Sequence, residues 1–160
     1  MNVDCTPRIG RLCILLLAAT GCGTPARPFQ GKSVAQLERM LDDTDPAVQV
    51  QGAFGLAERG SEAKDAVPAL TKALTSKETH VRQNVALALG KIGPDAKDAV
   101  PALIDALNDP DWAVRRQAAV ALGEIGPDAR AALPALEKQA RDAHQVVRQA
   151  AEEARKKIRG

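Results

Sequence analysis

The chain has 160 residues, of which 26% are charged, a formal net charge of +2, and Phe29, Phe54 and Trp112 as its only aromatic residues. This length allows about one domain, and the charge balance excludes the basic stripe that is typical of nucleic-acid binders. With so few rings to stack on a base, a sugar or a flat cofactor, we expect neither a nucleic acid nor a cofactor as a ligand.

The first 22 residues have the pattern of an export signal. Arg8 and Arg11 precede the apolar run Leu12–Thr20, which is too short for a membrane span of about 20 residues. The following AATGC resembles the lipobox of bacterial lipoproteins, although Ala19 stands where Leu is commonest. This resemblance implies cleavage before Cys22 and lipidation of its thiol, so the mature chain is expected to be exported and lipid-anchored on the periplasmic or cell-surface side of a bacterial membrane. An ordinary secretory signal is the alternative.

Three segments follow from this interpretation. Residues 1–21 are the lipoprotein signal peptide, residues 22–32 are the lipidated cysteine with a short Pro- and Gly-containing tether, and residues 33–160 are the folded domain. Cys5 and Cys13 leave with the signal, so the domain has no thiol for a disulfide or a Cys-ligated zinc site.

From Ser33 onward, the sequence repeats with a period of 33 residues. The segment AKDAVPAL occurs at Ala63–Leu70 and again at Ala96–Leu103, and a looser copy, ARAALPAL, follows at Ala129–Leu136. A fixed period of this kind is the signature of a solenoid, in which each unit packs on its neighbours.

Each period contains two helical patterns, which we name the A and B helices. The segment HVRQNVALALGKI has apolar residues on one helical face and predicts an A helix, and DAVPALIDAL predicts a shorter B helix. Gly93 and Pro94 are expected to end the A helix. Asp98 is expected to cap the B helix and to leave Pro101 in its first turn, where a missing N–H costs little. The prolines that share this structural position are Pro68, Pro101 and Pro134.

We therefore predict an all-α fold, an α-solenoid of antiparallel helix pairs with about eight helices. Asp45 and Asp111 are expected to cap A helices, and Ser33 with Gln36 predicts a capping box at the first B helix.

The last A helix differs from the others on its outward face. It keeps Val147, Ala151 and Ile158 at inward positions, but it has Glu153, Arg155 and Lys156 where the preceding A helix has Val120, Leu122 and Gly123. A polar outer face of this kind is typical of the terminal unit of a solenoid.

The segments DWAVRRQAAVALGEIG and THVRQNVALALGKIG are similar to HEAT repeats of the short subclass named after bilin lyases. The matching features are the Val-Arg pair, the Ala-Leu-Gly-x-Ile-Gly ending and the Val/Leu-Pro-Ala-Leu start of the B helix. The resemblance covers about Ser33–Gly160 and implies a solenoid whose second helix, helix B, lines the concave side. The first repeat has Gln49 in place of Arg and Arg59 in place of Ile, which leaves its packing near Arg59 open.

The sequence contains no complete motif for catalysis or metal binding among the patterns considered. GKS at 31–33 lacks the earlier Gly and the strand of a phosphate loop, and DDTD at 42–45 lacks the Gly and distal Glu of a calcium loop. His80 and His144 stand at different repeat positions, so they predict neither a metal site nor a catalytic triad. We expect no catalytic residue, no metal and no cofactor, and hence a protein that is not an enzyme.

A column of arginines and one tryptophan admit two interpretations each. Arginines at one repeat position are interpreted as structural partners of acidic residues in neighbouring turns, with Asp109 and Asp142 as candidates, against the alternative of anion binding. Trp112 is either a partner anchor or a packing residue on the turn between repeats. The arginines of this column are Arg82, Arg115 and Arg148.

The function that the sequence favours is protein binding or scaffolding, by a monomeric domain tethered to the bacterial envelope. The binding surface is predicted on the B helices, where two exposed columns vary between repeats, although such positions also drift in sequence when they carry no function. One alternative is an accessory protein or enzyme subunit of the bilin-lyase-like class that handles a chromophore or cofactor. Another is a stability or spacer role without a specific partner. The candidate partner-binding residues are Lys72, Ile104, Asp105, Glu137, Lys138 and Trp112.

Overall fold

The computed structural model describes residues 29–160, so the predicted signal peptide, Cys22 and the first part of the tether lie outside the described residues. The described chain is built from A and B helices in alternation, beginning with a B helix. The B helices are α1 (Val34–Met40), α3 (Val67–Ala73), α5 (Val100–Ala106) and α7 (Leu133–Gln139), and the A helices are α2 (Pro46–Arg59), α4 (Thr79–Ile92), α6 (Trp112–Ile125) and α8 (Gln145–Arg159). The predicted all-α solenoid is confirmed.

The connection from each A helix to the next B helix is itself helical. It forms the 3₁₀ segments Gly60–Ala66, Gly93–Ala99 and Gly126–Ala132. An A helix, its 3₁₀ segment and the following B helix therefore run without interruption over 46–73, 79–106 and 112–139. Together with α1 and α8, the described residues form five helical runs, where the sequence analysis expected about eight separate helices.

Most of the predicted helix ends are confirmed. The carboxylates of Asp45 and Asp111 accept from the N–H groups of Ala47 and Ala113, both at 2.8 Å. The capping box of Ser33 is complete. The glycines that end the A helices have positive φ with an extended ψ, such as 74° and −138° at Gly93, a conformation that favours glycine.

The prediction that Asp98 caps a B helix is wrong. The residue before α5 is Ala99, and no side chain caps this helix. The reason is the 3₁₀ segment, because its Lys97 carbonyl already accepts the N–H of Val100. Pro101 nevertheless lies in the first turn of α5, as predicted.

One apolar core runs the length of the solenoid. It is built from leucines at two repeat positions, each at most 1% exposed: Leu37, Leu70, Leu103 and Leu136 from the B helices and Leu56, Leu89 and Leu122 from the A helices. The B-helix leucine recurs in all four B helices and the A-helix leucine in the first three A helices, and the buried residues form one continuous cluster.

Neighbouring A helices pack directly on one another. A Cβ atom added at Gly123 would lie 2.9 Å from the Ala154 Cα, and one added at Gly90 would lie 3.1 Å from the Ala121 Cα. The B helix α3, in contrast, contacts the 3₁₀ segment of the next unit. The closest approach between neighbouring units is therefore made by their A helices.

The two ends of the described solenoid are closed differently. On α8, the inward residues Val147, Ala151 and Ile158 are fully buried, as predicted. Arg155 is only half-buried rather than solvated, and its Nε atom is buried without a hydrogen-bond partner.

At the first repeat, the end of the tether is docked on α2. The ring of Phe29 packs against Phe54 with 5.4 Å between centroids. Arg59 donates to the Lys32 carbonyl at 2.8 Å, so its guanidinium holds the tether and is not in the core. None of the described helices combines the length and the apolar character that a membrane crossing requires.

Candidate protein-binding surfaces

The arginine column forms a ladder between repeats. Arg82 donates through Nε and Nη2 to the two carboxylate oxygens of Asp109, at 2.7 and 3.0 Å. Arg115 contacts Asp142 in the same way, at 2.7 and 3.1 Å. The predicted structural role and both predicted acidic partners are confirmed for these two arginines, and Arg148 instead donates to the carbonyls of Asp142 and Ala143.

The carboxylates of this ladder are stabilised in their charged form. The hydrogen bond from Arg115 is the main reason that the pKa of Asp142 falls to about 2, against the opposing effect of burial. Burial also opposes the ionisation of Asp109, but the hydrogen bonds from Arg82 and from the Asp111 N–H outweigh it and lower the pKa. The pKa of Arg82 is correspondingly raised by its bond to Asp109.

These pKa shifts predict a loss of stability in acid. Because the pKa of Asp142 lies near 2 in the folded chain and near 3.9 in an unfolded one, its contribution is complete above about pH 5 and is lost as the pH falls through about 2. We expect the free energy of unfolding, measured in urea, to fall by about 2 kcal/mol over this range on account of Asp142 alone. Asp142→Asn removes this titration, so an unchanged pH dependence in that variant would contradict the assignment.

Four of the five predicted partner-binding residues on the B helices are exposed, but two of these four already make contacts between repeats. Lys72 pairs with Asp42 at 3.1 Å, and Lys138 lies 3.4 Å from the Asn108 side-chain oxygen. Ile104 is half-buried and packs against the core. Asp105 and Glu137 are exposed.

Trp112 has features of both predicted roles, the packing residue and the partner anchor. Its ring stacks on His144 of the next repeat, with 5.8 Å between centroids and 13° between planes. It nevertheless remains 42% exposed, the most exposed large apolar side chain in the described residues. It therefore packs on the turn between repeats and also offers an apolar surface to a partner.

The structure adds a surface that the sequence analysis missed. Between α4 and α6 lies a groove of about 360 Å³, which we name the A-face groove. The half-buried Leu87 and Val120 lie on its two sides, and Gly90 leaves its floor without a side chain. Lys91, Arg116, Gln117 and Glu124 also line it. The signal in the sequence was the apolar Leu87 and Val120 one turn before the glycine of Ala-Leu-Gly.

The part of the chain that the structure describes contains no candidate metal cluster. There, no group of three or more His, Cys, Asp or Glu side chains is placed to hold a metal ion. Of the two histidines, His144 stacks on Trp112, and the backbone carbonyl of His80 accepts from the Asn84 side chain. The chemistry that the surfaces offer is hydrogen bonding, charge and apolar contact.

A model of HEAT repeats matches the chain twice, over residues 34–98 and 94–156. The chain belongs to the HEAT-repeat family. The ladder of Arg82 and Arg115 and the repeated core leucines are thus features of a HEAT solenoid in this chain. No curated protein sequence matches the chain significantly.

Solved structures share the HEAT fold of this chain. A designed armadillo repeat protein in complex with the peptide (KR)4 is 22% identical over 78% of this chain and 64% of its own, with a TM-score of 0.68. Human deoxyhypusine hydroxylase is 32% identical over 84% of this chain and 46% of its own, with a TM-score of 0.65. The CpcE–CpcF complex of phycocyanin lyase from Nostoc sp. PCC7120 is 22% identical over 85% of this chain and 68% of its own, with a TM-score of 0.62.

The extent of these matches limits what they imply. The chain spans 62% and 64% of the length of two of the engineered structures it matches. At 22% identity, the armadillo and lyase structures show the fold alone.

Proposed function

We propose that this chain is a protein-binding or scaffolding HEAT module that is tethered to a bacterial membrane through a lipid on Cys22. The observation that supports protein binding best is the A-face groove, because its half-buried Leu87 and Val120 present apolar surface that no described residue covers fully. Solenoids use extended surfaces of this kind for recognition.

Variation between repeats supports the same function. The core positions of the A helices repeat as Leu56, Leu89 and Leu122, whereas an outward position reads Val50, Gln83 and Arg116. A constant core with a varied surface is expected when the repeats supply the scaffold and the surface supplies specificity. The designed armadillo structure with a bound peptide shows that a related fold serves this purpose in another protein.

The alternative of a chromophore- or cofactor-handling subunit has weaker support. It rests on the resemblance to the bilin-lyase class and on a 22% identical lyase structure, which carries the fold and not the activity. A purified domain that carries a bound, coloured cofactor would favour it over protein binding.

The membrane tether is tested by Cys22→Ala. The full chain should incorporate radiolabelled lipid and stay with membranes after a high-salt wash, because a diacylglycerol supplies two acyl chains, and two are enough for stable attachment where one is marginal. The Cys22→Ala chain should lose both properties. Cys13→Ala, a cysteine of the signal segment, is the matched control and should keep them. A wild-type chain without lipid label, or a Cys22→Ala chain that still resists the wash, would refute the anchor.

A further inference from the structure

We propose that the A-face groove binds an extended peptide segment of the partner, with the peptide backbone hydrogen-bonded by Gln117 and an acidic side chain held by Arg116 and Lys91. This inference rests on the proposed protein-binding function and adds to it the class of ligand and the residues that contact it. It is independent of the membrane tether.

The side-chain amide of Gln117 is the group in the A-face groove that suits a peptide backbone best. Its side chain is only 8% exposed and lines the A-face groove, and no described residue lies within hydrogen-bond distance of its amide. The other buried glutamine, Gln139, differs, because it donates to the Leu107 carbonyl. Among the described side chains only the Nε of Arg155 is a fully buried polar atom without a partner, so the amide of Gln117 reaches solvent at the groove, where a ligand could bond it. A primary amide has both a donor and an acceptor, which match the C=O and N–H of an extended backbone.

The charges around the groove specify the ligand further. Arg116 and Lys91 are exposed at the groove and have no ion-pair partner among the described residues. The carboxylate of Glu124 also lines the groove, but Lys157 pairs with it at 2.9 Å. Two unpaired cations beside two apolar side chains favour a segment in which an acidic residue lies close to an apolar one.

A second groove extends the surface toward α8. It has a volume of about 240 Å³, lies between α6 and α8, and shares Arg116, Val120 and Glu124 with the A-face groove. Neighbouring helix axes are about 8–10 Å apart, and an extended chain rises about 3.3 Å per residue. The step between the two grooves therefore corresponds to about three residues of an extended peptide.

A phage-displayed library of random dodecapeptides, selected on the full chain in detergent, tests this proposal. The expected sequences carry Asp or Glu within about two positions of Leu, Ile, Val or Phe. For one selected peptide, Gln117→Leu should weaken binding by about tenfold or more, and Arg116→Glu should do the same. The thermal midpoint of Gln117→Leu should stay close to that of the wild type, because the amide makes no hydrogen bond to a described residue that the substitution would remove. Gln149→Leu, at an exposed glutamine of α8, is the matched control and should change binding less than about twofold.

Recognition of the peptide backbone by Gln117 is tested by a separate binding measurement. N-methylation of one peptide amide should weaken binding to the wild type by about the same factor as Gln117→Leu and should cause no further loss in that variant. The proposal is overturned if no peptide is selected, or if the selected peptides bind Gln117→Leu and Arg116→Glu as tightly as the wild type. These results concern the groove only; whether the chain binds a protein at all is decided separately by crosslinking in cells.

Discussion

Replacing Arg115 by alanine is expected to lower the free energy of unfolding by about 3–5 kcal/mol. Arg115 and Asp142 are 14% and 8% exposed, and Arg115 also donates to the carbonyls of Asp109 and Pro110, at 2.8 and 3.1 Å. The substitution leaves the Asp142 carboxylate buried without its cation and two carbonyls without their donor. Urea unfolding of the purified chain at neutral pH measures the change.

The matched control is a second ion pair between repeats that differs in burial. Lys72 and Asp42 pair at 3.1 Å, but their side chains are 79% and 71% exposed. Lys72→Ala should therefore cost less than about 0.5 kcal/mol. If Arg115→Ala and Lys72→Ala have the same small effect, the buried ladder does not hold the repeats together.

Ile125→Ala is expected to cost about 2–5 kcal/mol, the range for truncating a large apolar side chain in a core. Ile125 ends α6, is 1% exposed and belongs to the continuous core. The control is Lys156→Ala, an exposed residue of α8, which should stay within about 0.5 kcal/mol of the wild type. Similar losses in the two variants would show that the inward and outward faces of the A helices have been assigned incorrectly.

Periodicity allowed most of the fold to be predicted. The 33-residue repeat placed Leu70 and Leu103 inward, and both are fully buried. Asp109 and Asp142, named from the sequence as candidate partners of the arginine column, contact Arg82 and Arg115. In a stack of similar units one contact geometry recurs between successive repeats. Repetition thus converts a pattern of residue types into a prediction of contacts.

The expectations that failed depend on local backbone geometry. Asp98 was expected to cap a B helix because an acidic residue often stands there, but the 3₁₀ segment that precedes α5 satisfies the N–H of Val100 with a carbonyl. The A-face groove was missed because it depends on how closely α4 approaches α6, which is set by Gly90 against Ala121. Helix periodicity reports which residues face the core, but it does not report the distance between two helices.

The two candidate binding surfaces differ in the same way: the B-helix columns were predicted from the sequence, and the A-face groove was found in the structure. Sequence variation marked the B-helix columns of Lys72 and Ile104 as a binding surface, and that prediction stays open alongside the A-face groove. The place of Gln117, mostly buried at the A-face groove, is a property of packing. Outward and inward glutamines look alike in a sequence. The structure was therefore needed to distinguish Gln117 from Gln83 and Gln149.

The central claim, that the chain binds a protein at the membrane, is tested most directly by photocrosslinking in the native host. A photoreactive amino acid is placed at Arg116 on the A face, at Lys72 on the B helices and, as a control, at the exposed Asp128 of the last 3₁₀ segment. We predict one discrete protein adduct in the membrane fraction from the Arg116 position, none from Asp128, and a loss of the adduct from that fraction when Cys22→Ala is added. An adduct from Lys72 alone would keep the protein-binding function and move it to the B helices. No adduct from either position, in a chain that is lipidated and folded, would contradict the claim.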